Sequence, residues 1–152
     1  MHHRTAAIGL LAILALAGCS TGTGTDSDSK PSPSPTSKSL AAEWTPKLQQ
    51  AATADASVCN HVGDRSCATH LTGIMFAVSD VENAIAAGAG PGKYPQSTVE
   101  IEKINKASEA YNDHECLGDE NADIAGSPCP DDAQTILSGA EALPLALTAD
   151  EQ

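Results

Sequence analysis

From residue 40 onward the apolar positions recur at the spacing of helices. The clearest run lies over 66–87, where Cys67, Leu71, Ile74, Val78, Val81 and Ile85 alternate steps of four and three and so share one stripe of an α-helix. Gly88-Ala89-Gly90-Pro91-Gly92 follows, and no helix continues through it. A second helix is predicted to start at Ser97, with Glu100 three residues on in capping-box spacing, and to run through Ile101, Ile104, Ala107 and Tyr111 toward Cys116. Within it Val99-Glu100-Ile101-Glu102 also alternates as a strand does. An earlier helix carries Leu40, Trp44, Leu48 and Ala51, with Pro46 offering Thr45 as its N-cap. The last follows Pro130-Asp131-Asp132, acids that suit a first turn, and passes through Ala133, Ile136, Leu137 and Ala140 until Pro144 kinks or ends it.

The chain before residue 40 has a different character. Arg4 precedes an apolar run over 6–17 that closes in Leu16-Ala17-Gly18-Cys19, and polar Ser20-Thr21-Gly22-Thr23 follows at once. A spanning helix needs roughly 20 apolar residues, so this is a signal sequence and not a permanent anchor. The tetrapeptide resembles the lipobox of bacterial lipoproteins. That resemblance implies cleavage before Cys19, a diacylglycerol on its sulfur, and a mature chain anchored by lipid at the outer face of the cytoplasmic membrane. The Ala-rich, Lys-poor composition also looks like that of high-GC actinobacterial lipoproteins. Residues 20–39 hold no large apolar side chain and include Pro31-Ser32-Pro33-Ser34-Pro35. Such a segment cannot bury a core, and its prolines favour an extended, semi-rigid tether that is disordered in the folding sense. The expected organisation is a signal peptide over 1–18, a lipidated cysteine and tether over 19–39, and one helical domain over 40–152.

That domain is short of core. It has 24 Leu, Ile, Val, Met, Phe, Trp and Tyr residues. At about 1.5–3 kcal/mol each they barely offset the ordering entropy of such a chain. Covalent help is therefore expected. With Cys19 taken by lipid, Cys59, Cys67, Cys116 and Cys129 remain, an even number in an oxidising compartment. Three pairings are open; Cys59–Cys67 and Cys116–Cys129 are expected, because each closes the connection between sequence-adjacent helices. The fold predicted is all-α, a disulfide-stapled up-down four-helix bundle. Up-down connectivity sets the first and third connections at one pole with the four cysteines. Asp55, Asp64, Asp113, Glu115, Asp119, Glu120, Asp123, Asp131 and Asp132 gather there against Arg65 alone, while Lys30, Lys38, Lys47 and Lys93 fall to the other end.

Charge and motif then narrow the function. A net charge of -12 repels phosphate backbones and argues against nucleic-acid binding. Cys59-x-His61, Cys67-x2-His70 and His114-x-Cys116 have spacings a metal could use, but disulfide formation takes the sulfurs. Asp119-x-Asn121-x-Asp123 begins like an EF-hand loop and then departs from it, with Ile124 and Pro130 where Gly and Glu belong. Asp119, Asn121, Asp123, His61 and His114 are thus weak metal candidates, and no cofactor is expected. His114-Glu115 starts an HExxH motif that Gly118 ends. No catalytic motif is present, so an enzyme is not expected, although a hydrolase without a recognisable signature is a third class. The reading that results is an interaction module at the cell envelope, anchored to the membrane, with Asp113, Glu115, Asp119, Glu120 and Asp123 meeting a cationic protein or peptide. The alternative is a cation- or metal-binding lipoprotein using the same pole and its Cys and His residues.

Overall fold

The computed structural model describes residues 39–53 and 56–152, which fall within one unit over 36–152. The leader, Cys19, the tether, Lys30, Lys38 and Asp55 lie outside the described residues. Four α-helices make up the fold, and no strand occurs among the described residues: α1 (Leu40–Thr53), α2 (Arg65–Ala87), α3 (Pro95–Asp113) and α4 (Cys129–Asp150), with 3-10 turns at Ala56–Asn60 and Pro91–Lys93.

The six apolar positions predicted for α2 are its buried residues, and the helix stops where Gly88 begins the Gly-Pro turn. Gly90 adopts φ 79, the left-handed conformation glycine enters without penalty, and its amide donates back to the Ile85 carbonyl. The strand-like alternation over 99–102 is helix; Ile101 is buried and Val99 is exposed.

Three helix boundaries differ from expectation. Pro46 does not start α1: the helix begins at Leu40, with Ser39 Oγ accepting from the Ala42 amide, and runs through Pro46, which lies on the exposed face. Pro144 does not end α4: the helix continues to Asp150, because Leu143 and Leu147 on either side are fully buried and hold it in place. Ser97 does not cap α3, which starts at Pro95 with proline at N1; Ser97 is buried, and Glu100 pairs with Lys103 at 3.1 Å.

The acceptor for the N-terminus of α3 comes from the far end of the chain. Asp150 accepts from the Gln96 amide at 3.1 Å, the Ser97 amide at 2.8 Å and the Ser97 hydroxyl at 2.7 Å. Burial raises the Asp150 pKa, but these hydrogen bonds outweigh it and hold the carboxyl below its ordinary value. Glu151 does the same for α1, accepting from the Ala41 amide at 3.1 Å and from the Tyr94 hydroxyl at 3.3 Å. Two successive acids thus tie the C-terminal end of α4 to the beginnings of α1 and α3, where the helix dipole favours negative charge.

Helix α4 is the central element. It packs most extensively on α3, then on α1, while α2 packs chiefly on α1 and touches α3 and α4 to a similar, smaller extent. Gly139 explains the close approach to α3, since a Cβ there would overlap the Ile104 side chain. Leu48, Ile74, Ile104, Ile136, Leu143 and Leu147 fill the shared interior.

Candidate functional site: the disulfide-stapled pole

The loop between α1 and α2 meets the loop between α3 and α4 at one pole, as antiparallel connectivity requires. Disulfides close both: Cys59–Cys67, with Cα atoms 4.5 Å apart, and Cys116–Cys129, with Cα atoms 5.6 Å apart. The loops are also sewn to each other. The Gly118 amide donates to the Gly63 carbonyl at 2.8 Å, and the Tyr111 hydroxyl donates to the Val62 carbonyl. A Cβ on Gly63 would stand 2.6 Å from the Asp119 carbonyl and 3.0 Å from the Ala122 side chain, so only glycine lets the loops approach this closely. Burial, then the nearby Asp123 carboxylate, pushes the Tyr111 phenol upward and keeps it a donor.

Helix α3 ends at this pole through Glu115, whose φ of 53 is left-handed, with the Cys116 amide folding back onto the Tyr111 carbonyl. That reversal aims His114 at α4. Its Nδ1 lies 2.7 Å from Asp132 Oδ2.

The acids expected to face a partner divide into two groups. Asp113, Glu115 and Glu120 are exposed, and their side chains carry no hydrogen-bonded partner among the described residues. Asp119 is exposed but turns one oxygen onto the Asn121 amide at 2.9 Å. Asp123 belongs to the scaffold: it accepts from the Val62 amide at 2.8 Å and lies 3.2 Å from His61 Nδ1. One oxygen of Asp119 thus serves its own loop, while both oxygens of Asp123 face the loop between α1 and α2.

Sequence reasoning missed two members of the surface. Leu117 and Ile124 are 54% and 57% exposed in the same loop, so the acidic rim carries apolar side chains within it. Large apolar residues in a polar loop were the available signal. The pole also retains Asp64, Asp131 and Asp132 against Arg65.

Of the four lysines expected at the opposite end, Lys47 and Lys93 lie among the described residues. Lys93 shares a shallow depression with Asp150 and Glu151, and Lys47 lies 3.0 Å from Glu43 and 3.6 Å from the centroid of the Trp44 ring. The end of the chain thus brings two acids beside Lys93, a neighbourhood that chain order had hidden. No α-helix among the described residues is long and apolar enough to cross a membrane. Comparison of the chain with protein-family models, curated proteins and solved structures gives no match.

Proposed function

We propose that the protein is a lipid-anchored lipoprotein on the outer face of the cytoplasmic membrane, and that its helical domain is an interaction module for a cationic protein or peptide. The observation carrying the reading is the surface at the stapled pole: Asp113, Glu115, Asp119 and Glu120 exposed around Leu117 and Ile124, on loops fixed by two disulfides and cross-loop hydrogen bonds. A rigid loop loses little entropy on binding, apolar side chains supply contact area, and the surrounding acids steer a positive partner. At a membrane reached through Cys19, the tether would carry this pole clear of the bilayer.

The test compares capture from envelope extract by the wild-type chain and by Asp113→Asn/Glu115→Gln/Asp119→Asn/Glu120→Gln. A partner held through this pole is retained by the first and lost, or much reduced, with the second. Its association rate should fall as salt rises, because exposed charges beyond about 8 Å are screened at physiological ionic strength. A partner indifferent to both the substitutions and salt would place the binding surface elsewhere.

A further inference from the structure

The joint between α3 and α4 gathers side chains whose chemistry exceeds a structural staple. His114 follows α3, Cys116 comes two residues later, and Cys129 and Asp132 stand in the first turn of α4. One ligand atom from each of His114, Cys116 and Asp132 lies within 4.8 Å of the others, and the Cys129 sulfur is bonded to that of Cys116. One sulfur, an imidazole nitrogen and a carboxylate oxygen thus face one another, and the Cys129 sulfur stands one bond beyond that of Cys116. While the disulfide is closed, neither sulfur is a thiolate ligand. We propose that reduction of Cys116–Cys129 converts this joint into a tetrahedral zinc site, with His114, Cys116, Cys129 and Asp132 as ligands.

The geometry supports the assignment. With Zn–S bonds of about 2.3 Å the two sulfurs of a tetrahedron stand about 3.8 Å apart, and with Zn–N and Zn–O bonds near 2.0–2.1 Å the nitrogen and oxygen stand about 3.3 Å apart. A Cα separation of 5.6 Å accommodates the first spacing by side-chain rotation. The second needs His114 Nδ1 and Asp132 Oδ2 to part slightly from 2.7 Å to admit the metal, with Nδ1 of the neutral imidazole as the ligand atom. The His114 and Asp132 side chains are 43% and 15% exposed, so the ion has a solvent entrance, and the buried sulfurs lie behind it. Two thiolates with an imidazole and a carboxylate form a donor set that zinc accepts readily, and the acids around the joint concentrate cations.

The chemistry balances. A two-electron reductant breaks the S–S bond: a dithiol passes its two hydrogens to the sulfurs and closes to a disulfide, whereas a phosphine attacks one sulfur and is hydrolysed to its oxide, water supplying the oxygen and both protons. The two sulfurs take up two protons, and zinc displaces both as it binds the thiolates. Disulfide and metal are then alternative crosslinks of the same joint, each tying the end of α3 to the start of α4.

The experiment uses the full chain carrying Cys19→Ser, Cys59→Ser and Cys67→Ser, which leaves this pair as the only sulfhydryls. After phosphine reduction and anaerobic desalting, Co²⁺ and then Zn²⁺ are titrated while visible absorbance and far-ultraviolet circular dichroism are recorded. The reduced chain should bind one Co²⁺ with the intense visible bands of a tetrahedral ion and a thiolate-to-metal charge-transfer band, and Zn²⁺ should bleach both. The oxidised chain should show neither. His114→Ala and Asp132→Ala should each weaken Zn²⁺ binding at least about tenfold, since even groups outside the ligand shell are worth that much. If reduction melts the helices, zinc must restore them. The proposal is overturned by a reduced chain lacking the tetrahedral bands, by equal binding in the oxidised form, by affinities indifferent to both substitutions, or by a melted chain that zinc fails to refold.

Discussion

Asp150 does for α3 what a neighbouring Ser or Asp does for most helices, and its removal should cost what a lost cap costs. Asp150→Ala is expected to destabilise the domain by about 0.5–2 kcal/mol at neutral pH, read as a lower midpoint in denaturant titration. The pH dependence follows from the sign of the shift. The folded carboxyl sits below its unfolded value, so its contribution is fully present above that value, near pH 4, and disappears as pH falls through the lower folded one. The acid limb of the stability profile should accordingly be shallower in Asp150→Ala than in wild type. Glu115 presents the opposite case, a residue whose backbone is held against its preference. Because a left-handed residue with a Cβ costs about 1–2 kcal/mol relative to glycine, Glu115→Gly should raise the thermal midpoint, provided the side chain has no partner, as the structure indicates. Two residues that look alike in a list of surface acids thus have opposite effects on folding, and only their backbone surroundings distinguish them.

Among the elements, the contact of α3 with α4 governs the bundle, and Gly139 permits it. Gly139→Val should cost about 1–3 kcal/mol or more through overpacking against Ile104, measured as loss of thermal stability with the two disulfides still formed. Helix α2 was legible in full from the sequence, since an amphipathic stripe between a loop and a Gly-Pro turn admits one reading. Helix α4 was legible in its buried face but not in its extent, and α1 only in part, since Leu48 is buried while Leu40, Trp44 and Ala51 are half-buried and Ala41 and Ala52 take the interior. Pro46 and Pro144 each remove one backbone hydrogen bond, a local cost that sequence reading treats as decisive. Buried neighbours on both sides, Leu143 and Leu147 for Pro144, outweigh it. The capping-box spacing of Ser97 and Glu100 misled for the same reason: a stronger acceptor, Asp150, arrived from elsewhere in the chain.

For the whole molecule, the prediction that matters most concerns attachment. Mass spectrometry of the native protein should find the mature chain beginning at Cys19 and carrying acyl groups, and Cys19→Ala should abolish lipidation and release the protein from membranes. Two or more acyl chains, at about 0.8 kcal/mol per buried methylene, would make the proposed anchor effectively permanent. An unmodified terminus elsewhere, or membrane association unchanged in the variant, would exclude this anchor. Charge is also a property of this scale. Among the described residues the stapled pole is strongly acidic, and at the opposite end Lys93 shares its depression with Asp150 and Glu151.

By itself the sequence determined what depends on neighbours along the chain: the period of the apolar positions, the four helices, and an even set of cysteines close enough to pair locally. Connectivity then brought the first and third loops together, which placed the acids at one pole. Only the tertiary structure decided which groups from distant segments meet. Asp150 and Glu151 reach the beginnings of α3 and α1 across more than fifty and one hundred residues respectively. Asp123, though exposed, clasps the Val62 amide, and His114 meets Asp132 beside the Cys116–Cys129 bridge. Such contacts rest on close packing at Gly63 and Gly139, where a missing side chain sets the distance, and a pattern of apolar and polar positions carries no record of that distance.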